Sequence, residues 1–349
     1  MPIITPSPAA WDSFVAAHPR AHVLQQSAWG TLKSAYGWRA LCLAFSASGE
    51  SERIAAGALL LFRPLPLRLG TMAYLPMGPL LAPDADDSTQ RALWTAIHRA
   101  ARQQRAAFLK WEPGIYTPAE TPPKPLALGF RPGAQTIQPP RTILIDIAGT
   151  EDALLARMNQ GTRRKIRQAL KNGVRYAQGT RADMTRFNAM MQATGARNIF
   201  GVHAPDYYEK AYDLFVAAGD AALLLAEHEG DTLAGIMVFA KGRTAWYLYG
   251  ASADVKRNLM ASYGVQWAGI QWARARGCLR YDLWGIPDAD ETTLEAQFET
   301  RADGLWGVYG FKRGWGGDIV RSLGAWDYVY NPLVYAAYTL ALKYRTQID

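Results

Sequence analysis

The sequence predicts an α/β protein in which one unit of strand, turn, strand, helix and strand occurs twice. Short apolar runs separated by turns are typical of strands that are buried on both faces. The spacing of these runs is also repeated, because 37 positions separate Tyr74 from Trp111 and the same number separates Tyr247 from Trp284. Self-similarity at a fixed spacing is a property of a whole fold.

Each copy has its elements in the same order along the chain. The first copy comprises strands at 53–62 and 72–78, a helix at 91–105 and a strand at 108–114. The second comprises strands at 232–239 and 246–250, a helix at 262–276 and a strand at 281–287. Since strand–helix–strand connections in one sheet are right-handed, each copy is expected to close onto its own sheet.

A distinct segment lies between the two copies. One long helix is predicted over 151–171, because its apolar residues recur at steps of three and four and Asn172-Gly173 supplies a typical C-terminal cap. The stripe consists of Leu155, Met158, Thr162, Ile166 and Leu170. A second helix is predicted over 181–194, and the domain boundary is expected near residue 150.

Composition limits the class of protein. The chain has 349 residues, 49% of them hydrophobic, which suffices for two domains with their own cores. Two distant cysteines, Cys42 and Cys278, exclude a disulfide framework and favour a reducing compartment. Without a signal peptide or an apolar run of ~20 residues, we expect a cytoplasmic protein, with peripheral contact with the inner membrane face left open. The net charge of +8 favours anionic partners without choosing among them.

The sequence lacks the common signatures of metal and nucleotide chemistry. The five histidines have no ligand spacing with cysteines or carboxylates. No GxSxG, Walker A or GxGxxG motif occurs in a suitable context. We therefore expect no metal centre, no nucleophile elbow and no resident cofactor.

The densest group of cations lies on the predicted helix 151–171. Arg163, Arg164, Lys165 and Arg167 lie away from its apolar stripe. Such a group could contact phosphates, for example those of an RNA backbone. It is equally typical of a solvated helix face, and the sequence alone leaves both interpretations open.

Residues 304–317 mix aromatic residues and glycines with Lys312 and Arg313. In a site that excludes water, a lysine can stabilise a developing oxyanion. The alternative is a β-hairpin with aromatic packing. Beyond it, Asn331-Pro332 predicts the start of an apolar C-terminal helix. That helix either lies on a membrane or packs back against the first domain.

Together these segments resemble the Fem family of non-ribosomal peptidyltransferases, which build the interpeptide bridge of peptidoglycan. The resemblance rests on several motifs in the right order: 26–33, 163–174, 247–252, 281–285, 311–314 and 326–332. It implies two tandem acetyltransferase-like (GNAT-type) domains with mixed central sheets. The first would comprise 1–150 with 323–349 and bind the acceptor, and the second, 151–322, would transfer the acyl group. The chain lacks the long coiled-coil arm that some members use for tRNA.

The resemblance also implies an activity. This is aminoacyl transfer from aminoacyl-tRNA, as co-substrate, to the stem-peptide amine of a UDP-MurNAc-peptide or lipid II, by a monomer or weak dimer. Lys312 would stabilise the oxyanion or the tRNA terminus, and Glu112 would accept a proton. The acceptor would be held by Lys33, Arg197, Tyr207 and Tyr249. Contacts to tRNA would come from Arg163, Arg164 and Arg167.

Two other functions remain open at this stage. One is an acyl-CoA-dependent N-acyltransferase that acts on a sugar or polysaccharide precursor. In that case residues 256–262 would bind the pyrophosphate, although they lack the usual glycine. The other is a non-catalytic module that recognises a cell-wall precursor or a lipid headgroup.

Overall fold

The computed structural model describes residues 3–46, 53–117, 124–198 and 201–345, with the side chains of residues 197, 198 and 345 outside this description. The chain divides into two compact units. Unit 1 comprises residues 1–140 and 321–349, and unit 2 comprises residues 141–320.

Unit 1 is built on one sheet with helices packed against it. Its strands are β1 (Ile3–Ile4), β2 (Arg39–Ser46), β3 (Ile54–Pro64), β4 (Thr71–Pro76), β5 (Leu80–Leu81), β6 (Ala106–Glu112), β7 (Tyr116–Thr117), β8 (Arg131–Pro132) and, late in the chain, β16 (Trp326–Val329). Its helices are α1 (Pro8–Ala17), α2 (Ser27–Ser34), α3 (Asp87–Gln103) and α11 (Pro332–Arg345). The strand order is β1-β2-β3-β4-β6-β16-β8, with β5 beside β3, while β7 lies outside this sheet and pairs antiparallel with residues 321–322.

Unit 2 has a second mixed sheet. Its strands are β9 (Arg141–Asp146), β10 (Arg175–Gln178), β11 (Ala221–His228), β12 (Asp231–Lys241), β13 (Thr244–Ser252), β14 (Arg280–Asp282) and β15 (Asp318–Ser322), whose last residues return the chain to unit 1. Its helices are α4 (Glu151–Arg157), α5 (Gln160–Lys171), α6 (Met184–Asn198), α7 (Pro205–Ala211), α8 (Ala261–Ala275), α9 (Glu291–Gln297) and α10 (Trp306–Lys312). The strand order is β10-β11-β12-β13-β14-β9-β15.

The predicted duplication is confirmed in both connectivity and register. In unit 1, β3 and β4 are antiparallel, and α3 connects β4 to the parallel strand β6. In unit 2, β12, β13, α8 and β14 repeat this arrangement. Tyr74 lies opposite Lys110, and Trp246 lies opposite Asp282, so both parallel pairs have the same offset of 36 positions. The predicted α/β class with mixed sheets is likewise confirmed.

The apolar runs form strands because each is covered on both faces. Every residue of β6 and nearly every residue of β3 is buried. Helix α3 contributes Leu93 and Ile97 to the core of unit 1, while α8 contributes Val265 and Ile270 to the core of unit 2. Among the described residues, no helix combines the length and the apolar character needed to cross a bilayer.

The prediction of one long helix over 151–171 is wrong. The chain leaves the helical conformation at Met158 and Asn159, and the Asn159 side chain accepts a 2.7 Å hydrogen bond from the Thr162 amide to begin α5. The Asn159 amide donates to the carbonyl of Gly314. Leu170, predicted to belong to the apolar stripe, is 53% exposed, since the last turn of α5 buries Ala169 instead.

The unit boundary differs from the predicted one near residue 150. Strand β9 pairs antiparallel with β14, with Ile145 opposite Tyr281, so residues 141–146 belong to the sheet of unit 2. The C-terminal residues lie in unit 1 through β16 and α11. Strand β16 pairs with β6 on one side and with β8 on the other.

A buried ion pair holds this returning segment in place. The Lys110 ammonium lies 2.8 Å from a carboxylate oxygen of Asp327, and both side chains are almost fully buried. The second carboxylate oxygen accepts a 2.9 Å hydrogen bond from the Tyr335 hydroxyl of α11. Lys110 also donates to the carbonyl of Gln135 at 2.7 Å. One network therefore connects β6, β16, α11 and the loop before β9.

Breaking this pair should strongly destabilise unit 1. Asp327→Asn leaves the Lys110 charge buried without a counter-charge, which typically costs about 3–5 kcal/mol. The measurement is the free energy of urea unfolding. As a matched control, Asp303→Asn breaks the solvent-exposed pair with Arg301 and should leave the midpoint unchanged. Equal midpoints for the two variants would contradict the assigned role.

Candidate active site

Lys312 is a buried lysine at the end of helix α10, with 6% of its surface exposed. Its ammonium donates to the main-chain carbonyls of Gly285 at 2.8 Å and Trp284 at 3.1 Å. The same nitrogen lies 5.7 Å from the centre of the Tyr247 ring. An ammonium group has three donors, so one of them is available to a ligand after these two bonds.

The carbonyls of Trp284 and Gly285 can accept these hydrogen bonds because β14 is shorter than predicted and both residues lie beyond it. The strand ends at Asp282, not near residue 287, and Trp284 adopts a left-handed conformation with φ of +57°. The Asp282 carboxylate stabilises this turn by accepting a 2.7 Å hydrogen bond from the Trp284 amide. Asp282 is itself buried and accepts a hydrogen bond from the Thr142 hydroxyl.

Burial alters the protonation of Lys312. Removal from water lowers the pKa of its amine to about 7, and the negative charge of Asp282 opposes this change. The carbonyls of Trp284 and Gly285 provide partial negative charge but no full counter-charge. Near neutral pH a bound anion or oxyanion would therefore favour the charged form of Lys312.

A cavity of about 480 Å³ in unit 2 extends beside this lysine. Tyr247 and the neighbouring residues of α10, Val308 and Phe311, lie in its wall. The remaining wall comes from β12, β13, the loop 253–257, the start of α8, Thr194 of α6 and Lys165 of α5. Lys312 therefore lies behind the part of the wall that Tyr247 forms.

The start of helix α8 has the features of a phosphate site. Lys256 and Met260 both have positive φ angles, of +48° and +56°, and the helix begins at Ala261 without a side-chain cap. Amide groups in the first turn of a helix attract anions. Residues 256–262 lack the glycine that is usual in a phosphate-binding turn, but two non-glycine residues adopt the left-handed conformation instead.

Lys165 is the lining residue that the sequence prediction of tRNA contacts left out. Its ammonium lies 3.1 Å from the Tyr263 hydroxyl and 4.7 Å from the centre of that ring. Two further lining cations, Lys256 and Arg257, are paired with carboxylates. Lys165 shows no such pairing within the described part of the chain. Its position one residue from Arg164 gave no sequence signal that it faces inward.

The three predicted tRNA contacts differ in their surroundings. The Arg163 guanidinium donates to the carbonyls of Met158 at 2.7 Å and Ala156 at 3.3 Å, so it caps the end of α4. Arg164 and Arg167 are exposed, and neither has a hydrogen bond or an ion pair with another described residue. Of the three, Arg164 and Arg167 therefore present charge to solvent without a described partner.

Two of the predicted acceptor-binding residues lie together in unit 2. The hydroxyls of Tyr207 on α7 and Tyr249 on β13 are 3.5 Å apart, and the ring of His203 stacks on Tyr207 at 3.8 Å between centres. Tyr249 lies two residues after Tyr247 on the same strand. The side chain of Arg197, near the end of α6, falls outside the described part of the chain.

Lys33 and Glu112 lie in unit 1. Burial lowers the pKa of Lys33 to about 8, and the positive charge of Arg63 contributes to this decrease. The Glu112 carboxylate accepts hydrogen bonds from the Tyr74 hydroxyl at 2.5 Å and from the amides of Ile137 and Gln138. Burial raises the pKa of Glu112, and these hydrogen bonds oppose the rise. Both of its oxygens are thus occupied by donors of the protein.

Comparison with known proteins identifies the family. Residues 7–122, 128–231 and 225–343 match the FemAB family. The chain belongs to the FemAB family. A lipid II:glycine glycyltransferase of Staphylococcus saprophyticus is 27% identical over 402 aligned positions, which cover 93% of this chain and 92% of that protein.

Solved structures agree with this assignment at the level of the fold. The crystal structure of FemX superposes with a TM-score of 0.85 at 24% identity, covering 97% of this chain and all of that one. A tandem GNAT protein from the clavulanic acid biosynthesis pathway gives a TM-score of 0.51 at 12% identity, with 92% and 94% covered. The resemblance to the Fem family and the tandem acetyltransferase-like fold are therefore confirmed. The FemAB relatives also confirm the predicted enzyme class, an aminoacyltransferase.

The lowered pKa of Lys312 predicts a pH dependence of stability. The unfolded chain binds this proton up to pH 10.5 and the folded chain only up to about pH 7, so the free energy of unfolding should rise with pH between these values. Relative to Lys312→Met, the wild-type chain should gain up to ~1.4 kcal/mol per pH unit in this window. Urea unfolding of both proteins from pH 7 to 10 measures the difference.

Lys210→Met serves as the control, since Lys210 is exposed on α7. Its difference from the wild type should not change with pH. A constant difference for Lys312→Met as well would show that Lys312 titrates normally.

Proposed function

We propose that this FemAB-family enzyme transfers an aminoacyl group, with glycine as the first candidate, from aminoacyl-tRNA to the stem-peptide amine of a peptidoglycan precursor. The precursor is a UDP-MurNAc-peptide or lipid II. The observation that carries the proposal is the cavity of unit 2, which extends from an uncapped helix start to the wall beside Lys312. The name of the staphylococcal relative supports lipid II and glycine.

The donor is assigned to this cavity on chemical grounds. The 3′ end of an aminoacyl-tRNA carries phosphates close to an activated ester. The first amides of α8 and the ammonium of Lys165 suit the phosphates. The aromatic rings of Tyr247, Tyr263 and Phe311 in the same wall suit the terminal base. The ester would then lie towards Lys312.

The chemistry needs no catalytic triad, because the ester is already activated. The acceptor amine attacks the ester carbonyl, and a C–N bond forms while negative charge develops on the carbonyl oxygen. The Tyr247 ring, which separates Lys312 from the cavity, turns aside as the ester enters, and the remaining donor of Lys312 then stabilises that oxygen in a dry site. The C–O bond to the ribose then breaks, and the proton lost by the amine passes to the ribose hydroxyl. Holding both substrates in position supplies much of the remaining acceleration.

Holding the acceptor is assigned to Lys33, Arg197, Tyr207 and Tyr249. The 3.5 Å separation of the Tyr207 and Tyr249 hydroxyls gives a sugar or phosphate group two adjacent polar partners. Lys33 supplies a cation for a diphosphate. Glu112 is assigned to positioning the 137–138 backbone, because its oxygens already accept hydrogen bonds from the protein. Proton acceptance by Glu112 would require one of these bonds to break.

One observation also favours the acyl-CoA alternative. The turn before α8, with its left-handed Lys256 and Met260, would suit a CoA pyrophosphate as well as a tRNA phosphate. The two donors are distinguished by competition. Acyl-CoA should not inhibit transfer from aminoacyl-tRNA, and it should not itself support acylation of the precursor.

The decisive assay uses purified protein with charged tRNAs and one acceptor at a time. Transfer of glycine to lipid II or to a UDP-MurNAc-peptide is read as a mass shift. Lys312→Met should lower kcat by about 10²- to 10³-fold, as loss of one oxyanion donor does. Lys210→Met should retain full activity. Absence of transfer from every charged tRNA to either acceptor would falsify the proposal.

The salt dependence of tRNA binding separates the basic residues of α5. Arg164→Ala and Arg167→Ala should each reduce the slope of log K against log salt concentration by about 0.7 to 0.9, one phosphate contact each. Arg163→Ala should leave the slope unchanged and lower stability, because it uncaps α4. Filter binding at several salt concentrations measures the slopes.

Arg301→Ala is the matched control, because this exposed arginine of unit 2 is paired with Asp303. Its slope should equal that of the wild type. If the Arg163 and Arg164 variants reduce the slope by the same amount, Arg163 contacts a tRNA phosphate as Arg164 does, and its assignment to capping α4 alone is wrong.

A further inference from the structure

Helix α11 lacks the polar outer face that a surface helix normally has. Its outward residues recur at helical spacing: Leu333, Ala336, Ala337 and Leu340 are apolar, and Lys343 and Tyr344 end the same face. Leu333 is 84% exposed, Leu340 is 54% exposed and Tyr344 is 61% exposed. The opposite face packs onto unit 1, where the rings of Tyr335 and Tyr338 contact Phe108. The outward stripe is therefore not needed for the core of unit 1.

The loop between β3 and β4 continues this apolar surface. Leu65 and Pro66 line a cavity of about 740 Å³ together with Tyr338 and Ala341 of α11, so the loop and the helix are neighbours. Leu67, at the tip of the loop, is 90% exposed and has a φ of +55°. This left-handed conformation is unfavourable for leucine. The backbone thus presents a large apolar side chain to solvent at a conformational cost.

The charged residues of the described loop 62–70 and of α11 are all cationic. Arg63 and Arg68 of the loop and Lys343 of α11 are exposed. Residues 62–70 and 331–345 contain no aspartate or glutamate. Arg105 borders the same loop, since its carbonyl lies against Gly70. Apolar side chains rimmed by cations, with no carboxylate in the described residues 62–70 and 331–345, complement an anionic lipid surface and disfavour contact with a second copy of the same cationic patch.

We propose that α11 and the loop 65–69 form a docking surface for an anionic lipid bilayer. Leu67, Leu333 and Leu340 enter the headgroup region, while Arg63, Arg68 and Lys343 contact lipid phosphates. This proposal rests on the proposed function in one respect, the purpose of the surface, which is to keep the enzyme at the bilayer that holds a lipid-linked acceptor. Its geometry and charge stand without that assignment.

The test is vesicle flotation of the full chain without substrates. Wild-type protein should bind vesicles of phosphatidylglycerol and phosphatidylcholine and bind vesicles of phosphatidylcholine alone more weakly, and rising salt should reduce binding to the anionic vesicles only. A triple variant with Leu67→Ser, Leu333→Ser and Leu340→Ser should lose binding by at least about tenfold, because three exposed leucines no longer enter the lipid. All three side chains are exposed, so the fold should be unaffected.

A second triple variant replaces exposed apolar residues elsewhere with serine, namely Leu126, Leu170 and Val255. It should bind vesicles as the wild type does. Equal loss in both triple variants, or no binding by the wild type, would overturn the proposal. So would a wild-type dimer that dissociates in the Leu67/Leu333/Leu340 variant without any vesicle binding, because the occupant would then be a second copy.

Transfer to a soluble UDP-MurNAc-peptide separates this proposal from the proposed function. The Leu67/Leu333/Leu340 variant should retain that activity. Transfer without vesicle binding refutes only the docking surface, and vesicle binding without transfer refutes only the catalytic proposal.

Discussion

The buried pair of Lys110 and Asp327 is the interaction on which unit 1 depends. Strand β16 lies between β6 and β8, and its only charged residue is neutralised by a lysine in the middle of β6. The remaining carboxylate oxygen of Asp327 bonds to Tyr335, which fixes α11 against the same sheet. The sheet, the C-terminal helix and the proposed lipid surface are therefore held by one network that water does not reach.

The two copies of the repeated unit have diverged at the end of their third strand. In unit 1, β6 continues to Glu112, which bonds to Tyr74 and to the backbone at 137–138. In unit 2, β14 stops at Asp282, and the left-handed Trp284 turns its carbonyl towards Lys312. The end of the third strand thus holds the backbone at 137–138 in unit 1, whereas in unit 2 it supplies the carbonyls that bind the buried amine of Lys312. A duplicated fold needs only one functional cavity of this kind.

The sequence was sufficient for the repeat, its order of elements and the family resemblance, because these rest on spacing and on long apolar runs. It was insufficient where one side chain decides the backbone. Asn159 breaks a helix whose apolar periodicity continues through it, and Asp282 ends a strand whose apolar run continues to residue 287. The positive φ angles of Lys256 and Met260 have no composition signal, since glycine is the residue expected there. Lys165 and Arg163 were assigned to one basic face, and only their contacts separate them.

The topology of unit 1 has a consequence for synthesis on the ribosome. Unit 2 is a continuous stretch of chain, residues 141–320, and can fold as soon as it has emerged. The sheet of unit 1 lacks the strand between β6 and β8 until residues 326–329 have been translated, although most of that unit is made first. We therefore expect unit 2 to complete its fold before unit 1, which reverses the usual N-to-C order of domain folding. Until residues 326–329 are available, the edge of β6 remains unpaired.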